Sequence, residues 1–237
     1  MATLVVGASG ATGRLLVTEL LKRDQQVKIV VRSRANLPKN IKAHKNLTII
    51  EASILDLSSV EIANLVKGCT AVASCLGHNM TFKGIFGHPR RLVTDATRRL
   101  CDAVRANGSQ HHVKFVLMNT TGNQNRNIDE PISFAQKCVI AIFRVLLPPH
   151  VDNENAADYL RNQNEPMIQW VAVRPDGLVD EQSARQYSVH KSPTQSAIFD
   201  AGKTSRINVA HFMAQLIHND DTWQKWQGKM PVIYNQD

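Results

Sequence analysis

Three glycines, two hydroxyls and two guanidiniums near the N-terminus have types and spacing suited to chemistry. Gly7, Gly10 and Gly13 stand three residues apart, with Ser9, Ala11 and Thr12 among them. An apolar run (Leu4, Val5, Val6) enters the first glycine, and an amphipathic run (Leu15, Leu16, Leu20, Leu21) leaves the last. That pattern predicts a buried strand, a tight turn and a helix. Such a turn aims unpaired backbone N–H groups and the positive end of the helix dipole at one point, where a pyrophosphate sits. Gly7 allows the turn, Gly10 admits phosphate close to the backbone, and Gly13 lets helix and strand pack closely. A second strand follows (Val27, Ile29, Val30, Val31), which is the context a dinucleotide site requires.

The end of that second strand bears on the cofactor. An NAD site usually carries Asp or Glu about 20 residues after the glycines, to hold the ribose hydroxyls. This chain has Arg32 there and Arg34 just beyond. A guanidinium pairs bidentately with a 2′-phosphate, so NADP(H) is the expected cofactor.

Further candidates stand at the ends of later strands. Strand four runs into Leu76, Gly77 and His78, where a glycine lets backbone pass close to the cofactor and the imidazole falls near ribose or nicotinamide. Strand five ends in Asn119, Thr120, Thr121 and Gly122. A hydroxyl there can donate to a carbonyl oxygen that gains charge during hydride transfer, and Thr120 is the expected catalytic residue. Strand six ends in Arg174-Pro175-Asp176-Gly177, bringing backbone toward the nicotinamide end, with Arg174 expected to be structural and paired with a carboxylate such as Asp176 or Asp180. Tyr187 and Lys191 have the Tyr-x-x-x-Lys spacing of many dehydrogenases. On an alternating, strand-like segment, residues four apart lie about 13 Å from one another and do not form a dyad. Ser133-Phe-Ala-Gln-Lys137 keeps the spacing but puts serine in place of the phenol, an acid of pKa about 10.

The elements that position these residues alternate. Strands are expected at 3–8, 27–31, 47–51, 70–76, 113–118 and 168–173. Helices are expected at 11–23, 58–67, 89–107, 131–147, 152–164 and 208–218. Alternation at this spacing predicts an α/β fold: a doubly wound, parallel, Rossmann-type sheet in a single domain over 1–237, with the cofactor along the carboxyl ends of the strands. The strongly apolar helix at 131–147, with Pro131 at its start, exceeds a minimal domain. It has three candidate fates: burial against the sheet, a lid over the substrate site, or the contact of a homodimer.

Composition bounds the function. The 237 residues are 43% hydrophobic with a net charge of +8, and the mean hydropathy is −0.23. No apolar run reaches the roughly 20 residues of a membrane span. The chain starts directly on strand one, which leaves no room for a signal peptide. Cys69, Cys75, Cys101 and Cys138 lack metal-type spacing and read as reduced thiols of a cytoplasmic protein. The basic residues are dispersed without an aromatic stripe, so no nucleic acid, membrane or metal partner is expected, and the positive field suits a polyanionic cofactor.

The chain resembles the atypical short-chain dehydrogenase/reductase group of NAD(P)H-binding proteins. It is nearer the NmrA-like and biliverdin-IXβ/flavin reductase branches than the enzymes with a Tyr/Lys pair. The resemblance rests on Gly7-Ala-Ser-Gly-Ala-Thr-Gly13, Val31-Arg32-Ser-Arg-Ala-Asn-Leu-Pro38, Leu76-Gly77, the hydroxyls after strand five and Val171-Ala-Val-Arg-Pro175. It implies that Ser9, Thr12 and the loop backbone bind phosphates, that Arg32 takes the 2′-phosphate, that Ser53 and Ile54 flank adenine, and that Thr120 replaces the serine beside nicotinamide. The chain departs from relatives in having Ser53 for an acid, Gly177 for the flavin reductase's histidine, and longer segments at 78–90 and 131–147. The expected function is reduction of a small planar acceptor, such as a quinone, flavin or carbonyl compound, by NADPH. The competing expectation is a non-catalytic NADP(H) sensor.

Overall fold

Strand periodicity and glycine turns build a sheet with helices on both faces. The computed structural model describes residues 2–79, 81–108 and 111–236. Six strands form where the sequence predicts them, within two residues at each end: β1 (Ala2–Val6), β2 (Gln26–Val31), β3 (Leu47–Glu51), β4 (Cys69–Ser74), β5 (Val113–Met118) and β6 (Ile168–Pro175). Between them run α1 (Ala11–Leu21), α2 (Lys39–Lys42), α3 (Ser59–Val66), α4 (Phe82–Phe86), α5 (Leu92–Ala106), α6 (Phe134–Leu146) and α7 (Pro148–Asn162). The rest comprises β7 (Gly177–Val179), β8 (Tyr187–His190), β9 (Lys203–Ser205), α8 (Arg206–His218), α9 (Asp220–Trp226) and β10 (Val232–Asn235).

The main sheet has eight strands in the order β3-β2-β1-β4-β5-β6-β10-β8. Its pairings are parallel except that of β8 with β10. The strand order reverses between β1 and β4, and this switch point opens a crevice at their carboxyl ends. β7 and β9 form a separate parallel pair.

Alternation along the strands divides the core into two layers. Val5, Ile29, Ala73, Val116 and Val171 pack under α1 and α8. Leu4, Val6, Val72, Phe115 and Ala172 pack under α3, α5 and α7. Both faces of the sheet are therefore covered, as a parallel sheet requires.

Of the three fates open to the apolar helix, burial against the sheet is not the one observed. Ser133 caps α6 by accepting from Gln136 N, and Pro131 lies before it. Only Gln136 and Ile140 of α6 are buried, so the helix is not packed beneath the sheet. It rests instead on α7, where the Arg144 guanidinium grips Glu154 at 2.9–3.2 Å. Leu147 breaks the helix and α7 leaves at 102°. No single helix among the described residues is long and apolar enough to cross a membrane.

Arg174, on β6, is fully buried and does not pair with Asp176 or Asp180. Its partner is Glu130, at 2.6 and 3.0 Å. The same guanidinium donates to the carbonyls of Asn123, Met230 and Lys191. Asp176 accepts from Thr121 Oγ1 and Gly202 N, and Asp180 pairs with Arg206.

Two stability predictions result. Glu130→Gln leaves the Arg174 charge buried without its counter-charge, which costs about 3–5 kcal/mol. Urea unfolding should show a loss of that size, and a loss under about 1 kcal/mol would show that the carbonyls alone hold Arg174. Burial alone would raise the Glu154 carboxyl, but the nearby His150 and the bonded Arg144 guanidinium outweigh it and hold the group at about 2, against an ordinary 4.5. The resulting stabilisation, about 3 kcal/mol, is complete above the unfolded-state pKa and fades as pH falls through the folded one. Wild type should exceed Glu154→Gln by that amount near neutrality, and the gap should close as pH falls from about 5 to about 2. A gap that is independent of pH would refute the ionic origin.

Candidate functional site

The glycine turn between β1 and α1 requires glycine at two positions. Gly7 has φ +75°, and a Cβ on it would lie 2.5 Å from the carbonyl group of Cys75. A Cβ on Gly13 would lie 2.1 Å from Gly7 O. Gly10 N donates to Gly7 O at 3.0 Å and closes the turn. Gly10 is also the N-cap of α1, with no side-chain cap and no acidic residue in the first turn. The helix thus presents uncapped N–H groups and unopposed dipole, which fits a phosphate. Ala11 is exposed on this first turn, while Thr12 and Gly13 are buried against the body.

A cleft of about 350 Å³ extends from this turn across the ends of β1, β2 and β4. Gly7, Ser9 and Gly10 line one end; Arg32, Ser53 and Ile54 line the other; Leu76 and Gly77 form a side wall. The structure therefore brings eight of the expected cofactor residues to one cavity. Arg32 is exposed there and has no hydrogen-bond or ionic partner among the described residues. Arg34 is turned away: it donates to Ile49 O at 3.0 Å and lies 3.6 Å from Glu51, both on β3. A larger hollow, about 650 Å³, lies between α5 and α7. It takes no residue from a strand end.

Thr120 and Pro175 lie beyond this cleft, after β5 and at the end of β6. Asn119 fixes the turn: its Nδ2 donates to Asn153 O on α7 and its Oδ1 accepts from Thr120 N. Pro175 O accepts from Thr121 N at 3.2 Å. The Thr121 hydroxyl is committed to Asp176. Thr120 Oγ1 accepts from Gly122 N, which leaves its proton available to a ligand. His150, unremarked in the sequence, flanks the same spot. A methyl group on Gly122 would lie 3.6 Å from Thr120 Oγ1 and 3.7 Å from His150 Cε1. His150 Nε2 is 3.5 Å from Glu154. The signal for this pair was the i, i+4 spacing of His150 and Glu154 on a helix.

Other candidates have structural roles. His78 is buried and bridges Gly84 O (3.2 Å) and Asp152 Oδ2 (2.8 Å). Burial opposes ionisation of Asp152, yet bonds from His78 and from Thr94 and Val93 hold its carboxyl below the usual range. Tyr187 and Lys191 form no dyad. The Tyr187 hydroxyl is 2.9 Å from His211 on α8, and burial pushes it up to about 12. Lys191 serves through its carbonyl, bound by Arg174. Ser133 is a helix cap. No group of three His, Cys, Asp or Glu among the described residues is arranged to hold a metal ion.

Comparisons with known proteins agree with this geometry. Residues 7–220 match the family model described as NAD(P)H-binding. No curated protein matches the chain by sequence search. Among solved structures, the chain is similar to the oxidoreductase ylbE of Lactococcus lactis, at 17% identity over 100% of this chain and 92% of that one, TM-score 0.70. It is also similar to a short-chain dehydrogenase/reductase of Veillonella parvula in complex with NADP, at 16% identity over 99% and 94%, TM-score 0.72. A third is a Streptococcus pneumoniae protein, SP1627, provisionally named an NADH-flavin reductase, at 17% identity over all of both chains, TM-score 0.66. These structural likenesses establish a shared fold, and the match over 7–220 places the protein in the NAD(P)H-binding family.

Proposed function

We propose that the protein is an NADPH-dependent reductase of the atypical short-chain type, acting on a small planar acceptor such as a quinone, flavin or carbonyl compound. The carrying observation is Arg32: an exposed guanidinium on the cleft, without an intramolecular partner among the described residues. The acid that would hold two ribose hydroxyls is absent from its position. The Veillonella parvula protein was solved with NADP, which supports the cofactor; the Streptococcus pneumoniae one is named for flavin reduction by NADH, which supports the acceptor class alone.

When bound, the dinucleotide supplies the hydride. The chain supplies position and polarisation. Gly7, Ser9, Gly10 and the first turn of α1, with Ala11 and Thr12, hold the phosphates. Ser53 and Ile54 flank adenine, Leu76 and Gly77 pass along the dinucleotide, and Pro175 borders the nicotinamide end. Thr120 donates to the acceptor oxygen. The four cysteines are unpaired, which suits a reducing, cytoplasmic setting. A sensor that binds NADP(H) without turnover is the second reading. It is favoured by the lack of a Tyr/Lys dyad: the Tyr187 hydroxyl is turned to His211, and Lys191 serves through its carbonyl.

Titration with both cofactors tests the first element. Wild type should prefer NADPH. Arg32→Ala should lose roughly ten- to a hundredfold in NADPH affinity, the worth of one charge-assisted contact, with NADH affinity unchanged. Equal wild-type affinities would refute the assignment. Turnover tests the second. With quinone, flavin and carbonyl acceptors, NADPH should be consumed steadily; tight binding without consumption selects the sensor. Thr120→Val should then lower kcat by up to about 10²–10³, while Tyr187→Phe stays near wild type. The opposite ranking would move the proton donor to Tyr187.

A further inference from the structure

The fold leaves one side of α6 uncovered. Its inward seam is Gln136, Ile140, Phe143 and Leu147, which are buried or half-buried. The outward seam repeats the same four-three-four spacing at Phe134, Cys138, Ala141 and Val145, all exposed. Phe134 and Val145 are 82% and 81% exposed, and Ile142 and Leu146 beside them are 52% and 57% exposed. This spacing is the one along which two helices mesh.

The outward seam is its own complement. Rotated end for end about a point between residues 139 and 140, Phe134 falls on Val145 and Cys138 on Ala141. Bulky residues stand at the two ends and small ones at the centre, where backbones must come closest. A twofold contact requires a patch complementary to itself in this way. We propose that α6 forms the contact of a homodimer, antiparallel to α6 of a second copy, with Phe134 of each against Val145 of the other.

Charge favours a second copy. The segment from Pro131 to Val151 contains no acidic residue, so it does not attract a basic partner. A lipid surface requires a cluster of cations. Here Arg144 is neutralised by Glu154, and Lys137 is the one lysine on the helix. The inward side is occupied: Ser196 Oγ donates to Gln136 Oε1 and accepts from Phe199 N. The outward seam, with Ile142 and Leu146 beside it, offers on the order of 400 Å² of apolar surface per copy. That is below the roughly 800 Å² per partner of a standard interface, so association should be weak, in the micromolar range.

Sedimentation and cross-linking of the full chain test this. Wild type should dimerise reversibly. Phe134→Asp should weaken dimerisation at least 100-fold with an unchanged thermal melt, because the side chain lies outside the core. In the antiparallel register the two Cys138 lie three residues apart along the axis, about 4.5 Å, within reach of a short bismaleimide. Cys138 is exposed, whereas Cys69 and Cys101 are buried and Cys75 is largely so. In a Cys138→Ser background, Phe134→Cys alone and Val145→Cys alone should not self-link, since each pair would be about 16 Å apart. Their mixture should link. A wild-type monomer at about 100 μM overturns the proposal, as does self-linking of Phe134→Cys, which indicates parallel helices. Binding of a monomer to phosphatidylserine vesicles, abolished by Phe134→Asp, would assign the face to a membrane instead.

Discussion

A buried guanidinium organises the carboxyl end of the sheet. Arg174 offers five N–H groups, and they meet two carboxylate oxygens of Glu130 and the carbonyls of Asn123, Met230 and Lys191. Every donor finds a partner, which is the condition for burying such a charge without a large penalty. The acceptors come from three connections: the one after β5, the one after β8 and the one entering β10. None has a regular ladder of its own at these residues. The loop that carries Thr120 is therefore held from below by the ion pair and from the side by Thr121, whose hydroxyl binds Asp176. None of the hydrogen-bond partners of the Arg174 side chain is an expected cofactor residue. Its effect on any chemistry passes through the placement of that loop.

The dinucleotide end is built on a different constraint, the close approach of backbones. Gly7 and Gly13 leave no room for a Cβ, so β1, α1 and the end of β4 meet at main-chain distance. The uncapped turn of α1 then faces the cleft directly. Arg32 stands at the opposite end of that cleft, at the end of β2. The two constraints divide the site: sterics shape the phosphate end, and a buried charge network shapes the acceptor end.

This division explains what was legible in the sequence. The strands of the parallel sheet follow from apolar runs, and the glycine turn follows from local spacing; both are short-range signals. Arg32, Ser53, Leu76 and Gly77 reach the cleft because each directly follows a strand, so their placement comes with the sheet. Long-range partners were not legible. Arg174 has acids two and six residues away in the chain, yet it pairs with one 44 residues earlier, because its side chain points into the core while theirs point elsewhere. Arg34 lies two residues past Arg32 and is drawn to β3, since the chain turns between them. The short β10 was missed for a related reason. Four residues carry little periodicity, and the strand forms only because β6 offers it an unpaired edge. The helix at 131–147 is apolar on two opposite sides, so hydrophobicity alone did not say which side faces the protein.

Both segments that exceed a minimal domain end on the same three residues of α7. Asp152 accepts from His78 and so holds the loop after β4; it also accepts from Val93 N and Thr94 N, capping α5, whose own N-cap residue makes no side-chain bond. Asn153 offers its carbonyl to Asn119 at the end of β5. Glu154 grips Arg144 of α6 and lies beside His150. Helical geometry requires these outcomes to differ: consecutive residues project about 100° apart, so neighbours in sequence address different neighbours in space. α7 therefore links the loop after β4, the Thr120 turn and α6. A shift of α6 on α7 would be felt first at Glu154 and His150, and His150 is the side chain that shares its space with Thr120.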